Sequence, residues 1–236
     1  MPDEVEYFLI GNRVPKDYFE AEGFGEHDLT DHAGSFDESA RKAGVENYNI
    51  LKYTSIMPGI ARKVDRPKKD VFEIDYKGKA KIVHGSVCEV IMAEKTDIIG
   101  ERVTAGLVVG WIYDNRTRKR YGGLVAEYSG NEDESIAREK LDKMMKSMAK
   151  SRLEDRKHLE LGDVEIRTVS GVPKKKYGTA IVLIGFLNYV IPKFGELTQK
   201  DLDGLYAYKS LDVRQVDGKD ATPKAEAAAG GNKAMR

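Results

Sequence analysis

Apolar residues recur with two different periods along the chain, and the changes between them mark out the expected elements. The segments "VEYFLI" (5–10), "YNILKYTSI" (48–56), "VFEIDY" (71–76), "SVCEVIMAE" (86–94), "VTAGLVVGWIY" (103–113) and "GGLVAEYSG" (122–130) are rich in β-branched and aromatic residues and predict strands. Phe72, Ile74 and Tyr76 alternate with polar residues, as one half-buried face requires. "DVEIRTVS" (163–170) and "YGTAIVLIGFLNYVI" (177–191) predict two more strands. The unbroken apolar run of the second predicts burial on both faces.

The helical period is clearest over 132–154, "EDESIAREKLDKMMKSMAKSRLE". There Ile136, Leu141, Met144, Met145 and Met148 form an apolar stripe, and Glu134–Arg138 and Glu139–Lys143 are favourable (i, i+4) pairs. A shorter helix is predicted from the capping box Ser35-Phe36-Asp37-Glu38, with Ser35 as N-cap, ending near Gly44. Residues 15–35 are rich in Gly, Asp and His and read as a long loop; "GFGEHDLTDHAG" (23–34) has no hydrophobic period. From about residue 213 the chain reads as a low-complexity polar tail, expected to be disordered. Many strands with few helices predict an α+β layered domain.

Composition narrows the function classes. The chain has 236 residues, and its 39 basic residues balance 39 acidic ones, so no general attraction to nucleic acid or to an anionic membrane is expected. No apolar run approaches the length needed to span a bilayer. The N-terminus lacks the basic-then-apolar order of a secretory signal, and Cys88 is the one cysteine, so a cytoplasmic protein without an internal disulfide is expected.

Several candidate sites read as structure. His27 and His32, among Glu26, Asp28 and Asp31, match no common metal-ligand spacing. Gly23-Phe24-Gly25 lacks the lysine of a phosphate loop, and no G-x-S-x-G elbow is present. The basic stretches 61–69 and 115–120 read as solvated loops or a hairpin tip, because aromatic residues are not interleaved with them. One stretch stays open: in "NILKYTSIMP" (49–58), Thr54-Ser55 is either a pair of strand-end hydroxyls or a reactive peptide bond.

Three segments in fixed order bear on that choice: "SFDESARKAGVENYNILKYTSIMP" (35–58), "VIMAEKTDIIGERVTAGLVVG" (90–110) and "GGLVAEYSG" (122–130). Together they resemble the pyruvoyl-dependent arginine decarboxylases over roughly residues 5–190. The resemblance implies an αββα sandwich of mainly antiparallel sheets and a self-cleaved proenzyme. It implies a decarboxylase domain over 1–212, cut into a β chain of residues 1–54 and an α chain of 55–212, with 213–236 outside it. Cleavage would fall between Thr54 and Ser55, with Ser55 the precursor of a covalent pyruvoyl group and no metal or pyridoxal phosphate required. A Schiff base between that group and the substrate amine would carry arginine to agmatine and CO2.

By the same resemblance Asn49 assists cleavage, Glu127 is the general acid, and Asp37, Ala33, Thr54 and Ile56 bind substrate, Asp37 through the guanidinium. Bland readings stand beside these: Asn49 as a turn-capping strand residue, Glu127 as an outward-facing carboxylate, Asp37 as an acid favoured in a first helical turn. The implied partners are a small amino acid and further copies of the chain, as a trimer or a dimer of trimers with sites between protomers, and neither nucleic acid nor membrane. The chain departs from the family pattern with Thr54-Ser55 for Ser-Ser, Pro58-Gly59 for Pro-Pro, "DLTDHAGS" (28–35) before the helix, and Ser39-Ala40-Arg41 within it. Decarboxylation of another amino acid such as ornithine, or an uncleaved non-catalytic homologue acting as a binding or assembly subunit, are the rival readings.

Overall fold

The valine-rich run at 103–113 lies between two other strands of one sheet, with a helix packed on one face. A computed structural model describes residues 8–10, 12–65, 84–191 and 193–196. The elements are β1 (Phe8–Ile10), β2 (Val14–Pro15), β3 (Asp17–His27), α1 (Asp37–Ala43), β4 (Asn49–Lys52), β5 (Ile56–Pro58), β6 (Arg62–Lys63) and β7 (Val87–Ile98). They continue with β8 (Val103–Asp114), β9 (Lys119–Gly130), α2 (Glu134–Leu153), β10 (Leu159–Gly171), β11 (Tyr177–Phe186), β12 (Tyr189–Val190) and β13 (Lys193–Glu196). The strand expected at 71–76, the start of the one at 5–10, the end of the basic stretch 61–69 and the tail from 213 lie outside the described residues. Residues Asn12–Ile191 group as one compact unit; β1 and β13, an antiparallel pair, belong to a second.

Within the larger unit two sheets stack, with strand orders β4-β7-β11-β3-β6 and β10-β8-β9-β5, and β2 pairs separately with β12. Most pairings are antiparallel, and β4–β7 and β3–β6 are parallel. Three apolar layers follow from the alternation of side chains across each strand. Ile91, Ala93, Val109, Trp111, Val125, Val182 and Ile184 fill the space between the sheets. Phe19, Ala40, Ala43, Val90, Ile181 and Leu183 lie between the first sheet and α1. Val108, Leu124, Ala126, Leu141 and Met145 join the second sheet to α2. The architecture is an α+β sandwich with layer order α, β, β, α.

Several expectations are corrected. Residues 17–27 are a strand, not a loop, and 31–36 form a π-helical turn that leads into α1. The glycines that disguised β3 are where α1 presses on it: a Cβ on Gly23 would meet Ser39 O at 2.1 Å, and one on Gly25 would meet Ser39 N at 2.2 Å. The capping box does not form. Phe36 is the N-cap position with no side-chain bond, and the Ser35 hydroxyl bonds to Thr179 Oγ1 at 2.8 Å and to Asp31 O. Gly44 does end α1, in the left-handed conformation at φ 69°. In α2 the buried stripe is Ala137, Leu141, Met145 and Ala149, while Ile136 and Met144 are exposed. Asp133 caps that helix by accepting from Ser135 N and Ile136 N. Glu139–Lys143 pairs, but Glu134 instead accepts from Thr168 and Arg138 donates to Ile166 O. The run 48–56 is not one strand but two, β4 and β5, in different sheets.

Candidate active site

The break between β4 and β5 places Thr54 and Ser55. β4 runs parallel to β7 at the edge of the five-stranded sheet, and β5 runs antiparallel to β9 at the edge of the four-stranded sheet. Residues 53–55 therefore cross from one sheet to the other. Both ends of the crossing are pinned by the ladders: Tyr53 N donates to Val90 O at 2.6 Å, and Val125 N donates to Ser55 O at 2.9 Å. Between those anchors Ile56 N donates to Thr54 O at 3.1 Å. An i to i+2 bond of this kind closes a γ-turn about Ser55, and Ser55 is not among the positive-φ residues, so it is the inverse form. Chemically, the bond aims an N–H at the carbonyl that a Ser55 hydroxyl would attack.

Glu127 joins this group through β9. Ile56 pairs with Leu124, so Ser55 stands opposite Val125, and Glu127 lies two residues further on the same face. Such a diagonal separation is about 7–8 Å between Cα atoms, within reach of a long side chain. In the single chain Glu127 keeps an exposed surface. Burial of its carboxyl nevertheless pushes its pKa up, opposed in part by the charge of Lys52. Lys52 itself pairs with Glu94 at 2.8 Å.

The other expected residues lie apart within one chain. Asn49 opens β4, where its Nδ2 donates to Gly85 O at 2.7 Å and its N to Ser86 O. At a strand rise near 3.3 Å per residue its Cα is about 13 Å from that of Tyr53. Its amide thus bonds to the turn before β7. Ala33 and Asp37 are exposed in the π-turn and the first turn of α1, in the layer on the outer face of the five-stranded sheet. Ile56 is 49% exposed and points to the α2 side of β5. His27 accepts from Leu29 N, and His32 stacks on Phe36 with ring centroids 5.4 Å apart.

Two cavities flank the sheets. One of about 520 Å³, beside Ile56 and Pro58, is bounded by Tyr121, Arg152 and Arg156. Its two guanidinium groups repel a second cation, so a cationic substrate tail is disfavoured there. The other, of about 280 Å³, lies between β3 and β10, where Arg167 and Lys63 already pair with Glu20, Glu22 and Glu165.

Sequence reasoning did not single out Arg13, Glu89 and Tyr189, which gather against Tyr53. The available signal was a glutamate inside the otherwise apolar "SVCEVIMA".

The junction would fit a group made from Ser55, because the Thr54 carbonyl accepts from an N–H and the hydroxyl belongs to a residue fixed by the neighbouring strand. Among the described residues, no group of three or more His, Cys, Asp or Glu is arranged to hold a metal ion, and no helix is long and apolar enough to cross a membrane. The family model described as pyruvoyl-dependent arginine decarboxylase matches residues 17–191. A pyruvoyl-dependent arginine decarboxylase AaxB from Chlamydia muridarum (strain MoPn / Nigg) is 30% identical over 202 residues, 76% of this chain and 94% of the relative. One from Chlamydia abortus (strain DSM 27085 / S26/3) is 29% identical over 196 residues, with the same two shares. Pyruvoyl-dependent arginine decarboxylase 2 of Archaeoglobus fulgidus is 28% identical over 118 residues, 50% of this chain and 66% of the relative.

Proposed function

Because the chain belongs to the pyruvoyl-dependent arginine decarboxylase family, a family of lyases, we propose that it cuts itself between Thr54 and Ser55 and then decarboxylates arginine to agmatine. The observation that carries the first half is the crossing itself. A peptide bond held by one sheet on its N-terminal side and by the other on its C-terminal side has little freedom, and the Ile56 N–H polarises its carbonyl. Ser55 Oγ attacks the Thr54 carbonyl carbon. The C–O bond forms, the C–N bond breaks, and the hydroxyl proton ends on the Ser55 amine, so the amide becomes an ester. Loss of the Ser55 α-proton then expels the Thr54 carboxylate from Cβ and leaves dehydroalanine. Tautomerisation and uptake of water release ammonia and leave a pyruvoyl group at position 55.

That group would supply a ketone able to condense with the substrate amine, with the adjacent amide carbonyl able to accept the electron pair left when CO2 departs. The remaining work falls to side chains. Glu127, with its pKa raised by burial, retains a proton to higher pH than an ordinary glutamate and can deliver it to the carbon that has lost CO2. Asp37 offers a carboxylate suited to bidentate pairing with a guanidinium. Since Asp37, Ala33 and Asn49 lie away from Ser55 in one chain, the proposal includes a trimer, or a dimer of trimers, in which a neighbouring copy completes each site. The exposed Leu51 on β4, Val87 on β7 and Ile56 on β5 supply apolar surface for it. A cytoplasmic setting accompanies this reading.

Intact-mass measurement tests the first half. The expected result is two species, residues 1–54 and residues 55–236, the latter blocked at its N-terminus, and Ser55→Ala should give one uncut chain. Ser55→Ala protein that still divides at this bond would refute the mechanism. For the second half, CO2 release is measured with arginine and with ornithine. Turnover of ornithine alone would overturn the assignment of arginine.

A further inference from the structure

Glu89 is 3% exposed, and its β7 neighbours on the inter-sheet face are apolar. An ionised carboxylate in such a place costs stability unless it is paired, and a well-packed apolar residue would serve the sandwich better. Its surroundings give it another use. Arg13 donates to Glu89 Oε1, and the same Nη2 donates to the Tyr53 hydroxyl at 3.3 Å. The Arg13 guanidinium lies 4.9 Å above the Tyr189 ring, and the Tyr53 ring packs on Phe186 at 5.9 Å between centroids. Glu89 Oε2 and the Tyr189 hydroxyl are buried and find no hydrogen-bond partner among the described residues. Burial and the facing carboxylate both push the Tyr53 and Tyr189 hydroxyls up in pKa, so both stay protonated and available as donors towards Glu89.

All of this converges on Tyr53, the residue before Thr54. Its backbone is tied to Val90 O, and its side chain is tied at the ring and at the hydroxyl. With Ser55 O held by Val125 N, only Thr54 stands between two fixed residues. We infer that Glu89, acting through Arg13 and the Tyr53 hydroxyl, is a positioning residue for self-cleavage: it holds Tyr53 so that the Thr54 carbonyl stays in front of Ser55 Oγ and under the Ile56 N–H. The inference rests on the self-processing reading of the chain. The step it serves is the amide-to-ester shift, in which no other reactant is consumed.

The test follows freshly synthesised, pulse-labelled full-length chain by intact mass, comparing wild type with Glu89→Gln, Tyr53→Phe and the double variant. Tyr53→Phe keeps the ring packed and removes one hydroxyl. Each single variant should lose about tenfold in the rate at which the fragments appear. The double variant should be no slower than the slower single, because the two groups act as one unit. Hydroxylamine cleaves an ester but not an amide, so it should release no additional fragment from the slowed variants. Met145→Ala, in the α2 layer, serves as a control for general loss of stability and should process at nearly the wild-type rate.

Wild-type chain that cleaves while Glu89→Gln and Tyr53→Phe keep pace with it overturns the positioning role alone. So does an ester that accumulates in those variants, which would place the effect after the shift. Equal slowing in Met145→Ala also overturns it, since loss of stability would then account for the effect. Wild-type chain that stays whole overturns the processing reading and the positioning role together.

Discussion

Replacing Gly25 with alanine separates the two halves of the proposed function. A Cβ built on Gly25 would stand 2.2 Å from Ser39 N and 2.3 Å from Ser35 O, both backbone atoms. Carbon contacts settle near 3.5–4.0 Å, so α1 and the π-turn before it must lift by about 1 Å or more from β3. Overpacking of this kind costs roughly 1–3 kcal/mol, and no rotamer change relieves it because the obstruction is main chain. For a domain of this size that lowers the melting temperature by about 3–10 °C. The displaced segment carries Ala33 and Asp37, while the 53–55 crossing is held by main-chain atoms of Val90 and Val125 within β7 and β9; the Val90 side chain packs in the α1 layer, but its carbonyl stays in the sheet. Gly25→Ala should therefore yield the fragments 1–54 and 55–236 at close to the wild-type rate. It should also need a higher arginine concentration to reach half-maximal CO2 release. Thermal melting, intact mass and a saturation curve on one preparation provide the three readings. An unchanged melting temperature would refute the packing argument. Slowed cleavage, or an unchanged KM in the protein that has cleaved, would refute the assignment of these segments to separate tasks.

Glu127→Gln should self-cleave normally but release CO2 at least about 100-fold more slowly, the usual scale for loss of a general acid, as measured by kcat at saturating arginine. The wild-type kcat should fall as pH rises through the raised pKa of Glu127, and that limb should vanish in Glu127→Gln. The same shift acts on stability. A carboxyl raised in the folded state binds more protons folded than unfolded, so its contribution is complete below the usual 4.5 and is lost as pH rises through the folded value. Denaturant titrations of wild type and Glu127→Gln should diverge across that window, with the glutamine variant the less sensitive to pH. Met145→Ala removes a fully buried side chain from beneath Gly110 and should cost about 2–5 kcal/mol in a urea titration. Asp133→Ala removes the cap of α2 and should cost about 1 kcal/mol in the same assay.

The elements legible in the sequence were those whose signal is local. The β8 run, the doubly buried β11 and the long α2 all announce themselves by period or composition. β3 did not, because the reason for its glycines is the backbone of α1, some fifteen residues away along the chain. The capping box failed for a similar reason: Ser35 finds a better partner in Thr179, 144 residues distant. Nor can alternation reveal that a chain leaves one sheet for another, so β4 and β5 read as one strand, and the most informative geometry of the molecule was hidden. At the site, Thr54, Ser55 and Glu127 came from motif order, and the register of β5 on β9 brings them into one neighbourhood. Arg13 and Glu89, 76 residues apart, carry no motif at all.

The position of the crossing has a consequence for how the mature protein comes apart. Thr54–Ser55 joins two edge strands, so the proposed cut would interrupt no ladder, yet it would assign β3, α1 and β4 to one product and β5 to β11 to the other. β3 lies between β11 and β6 and pairs with β11 from Tyr18↔Phe186 to His27↔Tyr177. Its Phe19 and Ala21 are sealed under α1. Under the proposed cleavage, a protein that folds as one molecule would become a complex of two, locked together by a strand neither fragment can release alone. Its unfolding would then include a further dissociation, and its melting temperature should climb more steeply with protein concentration than that of Ser55→Ala. Once separated, the fragments face a bimolecular search that the precursor never had to make, so the working form draws its durability from the barrier to leaving and not from the ease of return.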